Sequence, residues 1–297
     1  MKEIPLVVNP LKPGVEAATF RAVLDRTLGL RFTRVAGALP RFPKAYRAPL
    51  VDWIHRRAAF GAKTLERLLG EVTLPDLYRK VPNDPVRVVW KSIESVGRIG
   101  LIARLAPEFR IIHILRHPCG WMESVTRGHR ENRFSSDRND WWIFKSLEAS
   151  PPGRRRGLTM ASFQAMSELE RETWLWVLWN ESGTEGCEGL ANVMTVRYED
   201  VCAAPIEQSH RMFDFARLEW HAQTEHFVRR SVSEQRKGYY SLFRDPNAAA
   251  NKWREMISAR ELGLVESILR QSELGRMFLT EESPLEEGVP EIGEGLR

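Results

Sequence analysis

No apolar run in this 297-residue chain approaches the roughly 20 residues of a membrane span. The N-terminus reads Met-Lys-Glu-Ile-Pro-Leu-Val-Val and turns polar at Asn9, without the apolar stretch of a secretory signal. The expectation is a soluble, cytoplasmic protein with no transmembrane segment. Cysteine is scarce. Cys119, Cys187 and Cys202 stand far apart with no CxxC pair, which argues against a disulfide framework or a zinc knuckle. They read as buried or half-buried thiols. The seven histidines show no HExxH or similar spacing, so no metal is expected. Internal repeats are absent. So is a full GxxxxGK[ST] phosphate loop, which argues against a phosphoryl-transfer enzyme. Gly61-Ala62-Lys63-Thr64 looks faintly like the end of such a loop, but it falls inside a helical pattern.

What is present is an ordinary globular balance, 43% hydrophobic and 28% charged, in a chain long enough for a sizeable core. A formal net charge of +5 favours anionic partners without choosing among nucleotide, sulfated glycan, nucleic acid and lipid head group. The basic residues are mixed with acids along the chain, as on a solvated surface.

The chain opens with a strand candidate, Ile4 to Val8, a Pro- and Gly-bearing turn over residues 9–14, and a helical pattern from Glu16 to Leu28. Strand, loop and helix in that order are how α/β nucleotide domains often begin. Trp53 to Leu69 reads as helix, Val86 to Trp90 as a second strand, and Val96 to Leu105 as a helix ending before Pro107. Arg110 to Leu115 is the best strand. Its nearly continuous apolar run predicts a central position with both faces covered. Cys119 to Arg127 starts a helix. Residues 129–158 read as a polar, lid-like excursion, Met160 to Asn180 as a long amphipathic helix, and Asn192 to Val196 as a strand. Pro205 to Leu218 and Arg260 to Leu269 read as helices, with a basic-headed loop over 234–251 between them. The expected organisation is one α/β domain over 1–280 and a disordered acidic tail over 281–297.

The most informative stretch is Ile111 to Val125, IIHILRHPCGWMESV. A buried strand delivers Arg116 to its carboxyl end, where open α/β sheets bind ligands. The guanidinium is a planar fork suited to a phosphate, and Ser124 offers a hydroxyl eight residues later. By themselves these residues suit a structural salt bridge and a helix surface equally well.

The order of motifs resembles the sulfotransferases that use 3′-phosphoadenosine-5′-phosphosulfate (PAPS). Strand, Arg116-x-Pro118 and Ser124 resemble their 3′-phosphate segment. Val88-Val89-Trp90-Lys91-Ser92 resembles the preceding strand that ends in Lys, and the helix bearing Trp174, Trp176 and Trp179 resembles the one that follows. Val196-Arg197-Tyr198-Glu199-Asp200-Val201, Arg236-Lys237-Gly238 and Asn251-Lys252-Trp253-Arg254 then match later segments in order. The resemblance spans about residues 86–270. It implies a three-layer α/β sandwich with a mostly parallel central sheet and the topology of P-loop NTPases. It also implies PAPS as co-substrate, a hydroxyl or amine acceptor on a small molecule or glycan, and no nucleic acid or metal.

On this resemblance Arg116, Ser124 and the Arg236, Lys237, Gly238 loop take the 3′-phosphate, and Tyr198 lies near the adenine. Lys12 and Gly14 match the loop that cradles the 5′-phosphosulfate. Val15 and Glu16 stand where that loop carries hydroxyls, and Pro13 lacks an N–H donor. Lys12 and Lys91 are the candidate cations for the transferring group, and Glu94 the candidate base. His113 reads as a core histidine, and His117 either faces the ligand or starts the turn. The altered loop keeps a second reading open, a sulfotransferase-like module that binds a 3′-phosphoadenosine nucleotide without catalysis.

Overall fold

The computed structural model of the chain describes residues 14, 16–28, 48–51, 53–54, 57–58, 61, 64–65, 87, 89–132, 140–234, 243 and 245–279. Described residues up to Glu94 fall in one compact unit and those from Ser95 in a second.

In the first unit, α1 (Glu16–Leu28) buries Phe20 and Leu24, four residues apart on one face, as the apolar spacing predicts. The described residues of the helix expected over Trp53 to Leu69 are helical, and the helical residues begin earlier, at Pro49. The strand expected over Val86 to Trp90 differs. Arg87, Val89 and Trp90 have no regular structure, and Val89 and Trp90 are 77% and 42% exposed. A short apolar run becomes a strand only where a neighbour pairs with it, and no described strand does. The strand expected at Ile4 to Val8 lies outside the described residues.

The second unit is mostly helical around a small parallel sheet. A 3₁₀ turn (Val96–Arg98) leads into α2 (Ile99–Leu105). β1 (Ile111–Leu115) and β2 (Val193–Arg197) are the two strands among the described residues, paired parallel from Ile111 opposite Val193 to Leu115 opposite Arg197. β1 is covered unevenly: His113 and Leu115 are buried, whereas Ile114 is 53% exposed, which departs from the expectation of two covered faces. After β1 come α3 (Pro118–Arg130), α4 (Asp140–Glu148), α5 (Pro151–Arg156), α6 (Met160–Ala165) and α7 (Glu168–Thr184). After β2 come α8 (Tyr198–Ala203), α9 (Pro205–Ala216), α10 (Ala222–Ser233), α11 (Pro246–Asn251), a 3₁₀ turn (Lys252–Glu255), α12 (Ala259–Leu269) and α13 (Glu273–Arg276).

The core is built on α7. Every residue from Glu172 to Leu178 is buried, so this helix is covered all round rather than amphipathic. Trp174, Trp176 and Leu178 pack with Leu115 of β1, Phe144 and Leu147 of α4, Phe163 of α6 and Leu269 of α12. The helix expected over Met160 to Asn180 is two helices. Thr159 and Ser167 each close a capping box, the second with Glu170, and Met166 between them is extended. Reciprocal capping satisfies N–H groups that a helix end would otherwise leave orphaned. The stretch read as an excursion thus supplies two core side chains. Of its arginine triplet, Arg155 grips Glu185 through two bonds of 2.8 and 2.9 Å, and Arg156 reaches Glu181 at 2.5 Å, holding α5 on α7.

Candidate functional site

β1 and β2 end together, because Leu115 is opposite Arg197. The residues that leave the two strands, Arg116 and Tyr198, therefore emerge side by side at the carboxyl end of the sheet. The Arg116 guanidinium lies over the Tyr198 ring, 5.1 Å from its centroid. Its Nη2 donates to the Ala249 carbonyl of α11 at 3.3 Å, and its own carbonyl accepts from Trp176 Nε1 at 3.0 Å. Arg116 Nε is buried without a hydrogen-bond partner. The Nε atoms of Arg156 and Arg197 are in the same state, so it is the place of Arg116 at a strand's carboxyl end, beside Tyr198, that suits an anion.

Gly120 makes this arrangement possible. A Cβ there would stand 3.0 Å from Arg116 Nε and 3.1 Å from Trp253 Cδ1, so only glycine lets the guanidinium lie against the first turn of α3. Ser124, half-buried, follows Gly120 by one helical turn on the same face.

His117 starts the turn rather than facing an open pocket. Its Nδ1 accepts the Cys119 N–H at 3.2 Å, capping α3, and its ring stacks on Trp253 at 4.0 Å between centroids. Burial first, then the nearby Arg254 charge, push its pKa down to about 3, so the imidazole is neutral and its Nδ1 lone pair is free to accept. The His117 backbone N–H donates to Glu199 Oε1 at 2.9 Å. His113 is the core histidine expected, with burial lowering its pKa to about 4. Glu123, buried on α3 beside Ser124, lies 3.6 Å from Lys252 Nζ and 3.4 Å from Arg127 Nε, which ties the turn after α11 to α3. Cys119 and Cys202 are buried and Cys187 is half-buried, all as free thiols.

The second unit thus brings Arg116 and Tyr198 together at one end of its sheet, with Ser124 one turn beyond Gly120 on α3. Gly14, Lys91 and Glu94 belong to the first unit and are exposed. Gly14 has φ +54°, a left-handed turn just before α1 that suits glycine. Lys12, Arg236, Lys237 and Gly238 lie outside the described residues. Sequence reasoning missed Gly120, Ala249, Trp253 and Glu199 as neighbours of Arg116. The signal for the last two was their place inside matched segments.

The sequence model of the sulfotransferase family matches residues 43–222, more than half of the chain. The chain belongs to the sulfotransferase family, whose chemistry is sulfuryl transfer. The match takes in Arg116, Ser124 and Tyr198 and ends before α10 is complete. No curated protein and no solved structure matched the chain. Among the described residues no helix is long and apolar enough to cross a membrane, and no group of His, Cys, Asp or Glu is arranged to hold a metal.

Proposed function

We propose that the chain transfers a sulfuryl group from PAPS to a hydroxyl or amine. The observation that carries this reading is Arg116. Its buried Nε has no partner and it lies over Tyr198, at the paired carboxyl ends of two parallel strands. Arg116 and Ser124 hold the 3′-phosphate together with the Arg236, Lys237, Gly238 loop, and Tyr198 borders the adenine. Lys12 and Gly14 take the 5′-phosphosulfate end. Lys12 and Lys91 bring positive charge to the bridging oxygen as the bond from sulfur to the 5′-phosphate breaks. Glu94 accepts the proton lost by the acceptor as its oxygen or nitrogen bonds to sulfur. The products are the sulfated acceptor and adenosine 3′,5′-bisphosphate.

Parallel pairing of β1 and β2 with intervening helices supports a three-layer, P-loop-like sandwich. Residues 129–158 are assigned to the acceptor side. α4 within them carries Trp141 and Trp142, 44% and 55% exposed, flat faces suited to a sugar ring.

Calorimetric titration with adenosine 3′,5′-bisphosphate tests the nucleotide site. The intact chain binds and Arg116→Ala weakens binding by about tenfold or more, the effect of one charge-assisted contact. No binding by the intact chain refutes the reading. A radiolabelled sulfate transfer screen over small-molecule and glycan acceptors then separates an enzyme from a non-catalytic binder.

A further inference from the structure

Arg116 and Tyr198 come from segments 82 residues apart, and each stands one residue beyond the last rung of the β1–β2 ladder. Past that rung no strand pairing holds the two exits together. Glu199 does. It follows Tyr198 directly, and its Oε1 accepts the backbone N–H of His117, which follows Arg116 directly, at 2.9 Å. A single side-chain bond, two residues past the last rung, thus brackets the stacked Arg116 and Tyr198 pair between it and the Leu115–Arg197 rung.

The ordinary role of an acid at this position is to favour the first turn of a helix. Asp200, its neighbour in that turn, is exposed and lies 4.0 Å from Arg197. Glu199 instead reaches across to the other strand's exit, half-buried. Its second oxygen, Oε2, is buried without a partner, so the carboxylate is held in place by the one bond to His117. Orientation is decisive for a guanidinium, because its planar donor fork engages a phosphate only at the matching angle.

We infer that Glu199 is a positioning residue for recognition of the ribose-linked phosphate, a clasp that fixes Arg116 against Tyr198. This rests on the reading of Arg116 as a phosphate ligand. Reach, not charge, is what the clasp requires. Glu199→Gln keeps an acceptor oxygen at the same distance, whereas Glu199→Asp keeps the charge and withdraws the oxygen by one methylene.

The test is calorimetric titration of the full chain and both variants with adenosine 3′,5′-bisphosphate and with adenosine 5′-monophosphate. The measured quantity is the ratio of the two dissociation constants, which reports the 3′-phosphate alone. The intact chain prefers the bisphosphate. Glu199→Asp loses about tenfold of that preference while its affinity for the monophosphate stays within about threefold, and Glu199→Gln retains most of it. Three results overturn the clasp: an unchanged ratio in Glu199→Asp, equal weakening of both nucleotides in that variant, or a loss in Glu199→Gln as large as in Glu199→Asp. If the intact chain itself shows no preference, the assignment of Arg116 to a phosphate falls, and the clasp with it.

Discussion

The close approach at Gly120 allows function to be separated from stability with a single methyl group. A Cβ at that position would stand 3.0 Å from Arg116 Nε and 3.1 Å from Trp253 Cδ1. Ordinary contacts between such atoms lie near 3.5 Å, so Gly120→Ala needs a shift of about half an ångström. Trp253 is 3% exposed and stacked on His117, which leaves its ring no room to retreat. The guanidinium therefore moves, and it is lightly held, with one bond of 3.3 Å to Ala249 and the Tyr198 ring. For stability, the overpacking costs about 1–3 kcal/mol. It is partly offset by the roughly 0.5–1 kcal/mol by which alanine favours a helix over glycine. For binding, under the proposed function, a displaced Arg116 forfeits a charge-assisted bond of about 1.5–3 kcal/mol to the 3′-phosphate, a loss of about ten- to a hundredfold in affinity. Calorimetry with adenosine 3′,5′-bisphosphate and 5′-monophosphate, alongside urea unfolding, reads all three quantities. The variant stays folded, loses affinity for the bisphosphate and changes little toward the monophosphate. Unchanged bisphosphate affinity would show that the face of α3 at Gly120 plays no part in anion binding.

Gly183→Ala supplies the contrasting case. Its Cβ would lie 2.5 Å from the Val96 carbonyl oxygen, a backbone atom that cannot yield, so urea unfolding should show a loss of about 1–3 kcal/mol, and an unchanged midpoint refutes the packing of α7 on the 3₁₀ turn. His113 should give the fold an acid limb. Its folded pKa is lowered to about 4 from 6.5, so between those values the unfolded chain binds the extra proton. Stability is then intact above about pH 6.5 and falls by about 1.4 kcal/mol per pH unit down to about pH 4. His117, lowered to about 3, adds to the slope in the same sense. Unfolding of the intact chain and of His113→Gln at a series of pH values checks this, and identical slopes refute it.

Features of the sequence that depend on near neighbours were legible. β1 and its Arg116 exit follow from one apolar run and the residues just after it, and β2 with Tyr198 follows in the same way. The break between α6 and α7 was also written locally, in Thr159 with Ser162 and Ser167 with Glu170, but the helical period across the break was the stronger pattern and hid it. Val86 to Trp90 shows the reverse error. Its composition is that of a strand, yet described residues there are irregular and exposed, because strand formation depends on a partner that composition does not name. α8, six residues long, gave too little period to detect.

The site was legible as residues but not as an assembly. Nothing near Gly120 in sequence announces that Trp253 will come within reach of a Cβ there, and nothing near Arg116 announces Ala249, 133 residues away. The arginines make the same point. Arg116, Arg155 and Arg156 are alike in chemistry, and the triplet over residues 154–156 has the denser positive charge. Arg155 and Arg156 meet Glu185 and Glu181 at hydrogen-bonding distance, so their charge is spent within the chain. Arg116 meets a carbonyl and an aromatic ring; a buried Nε without a hydrogen-bond partner is common to Arg116 and Arg156, so the difference between them lies in the carboxylate. Among the described residues no carboxylate forms an ion pair with Arg116, an environment that suits an anion at the end of the sheet. Of the three, Arg116 is therefore the one whose surroundings argue for a ligand, a distinction that rests on what each side chain touches and not on where charge accumulates in the sequence.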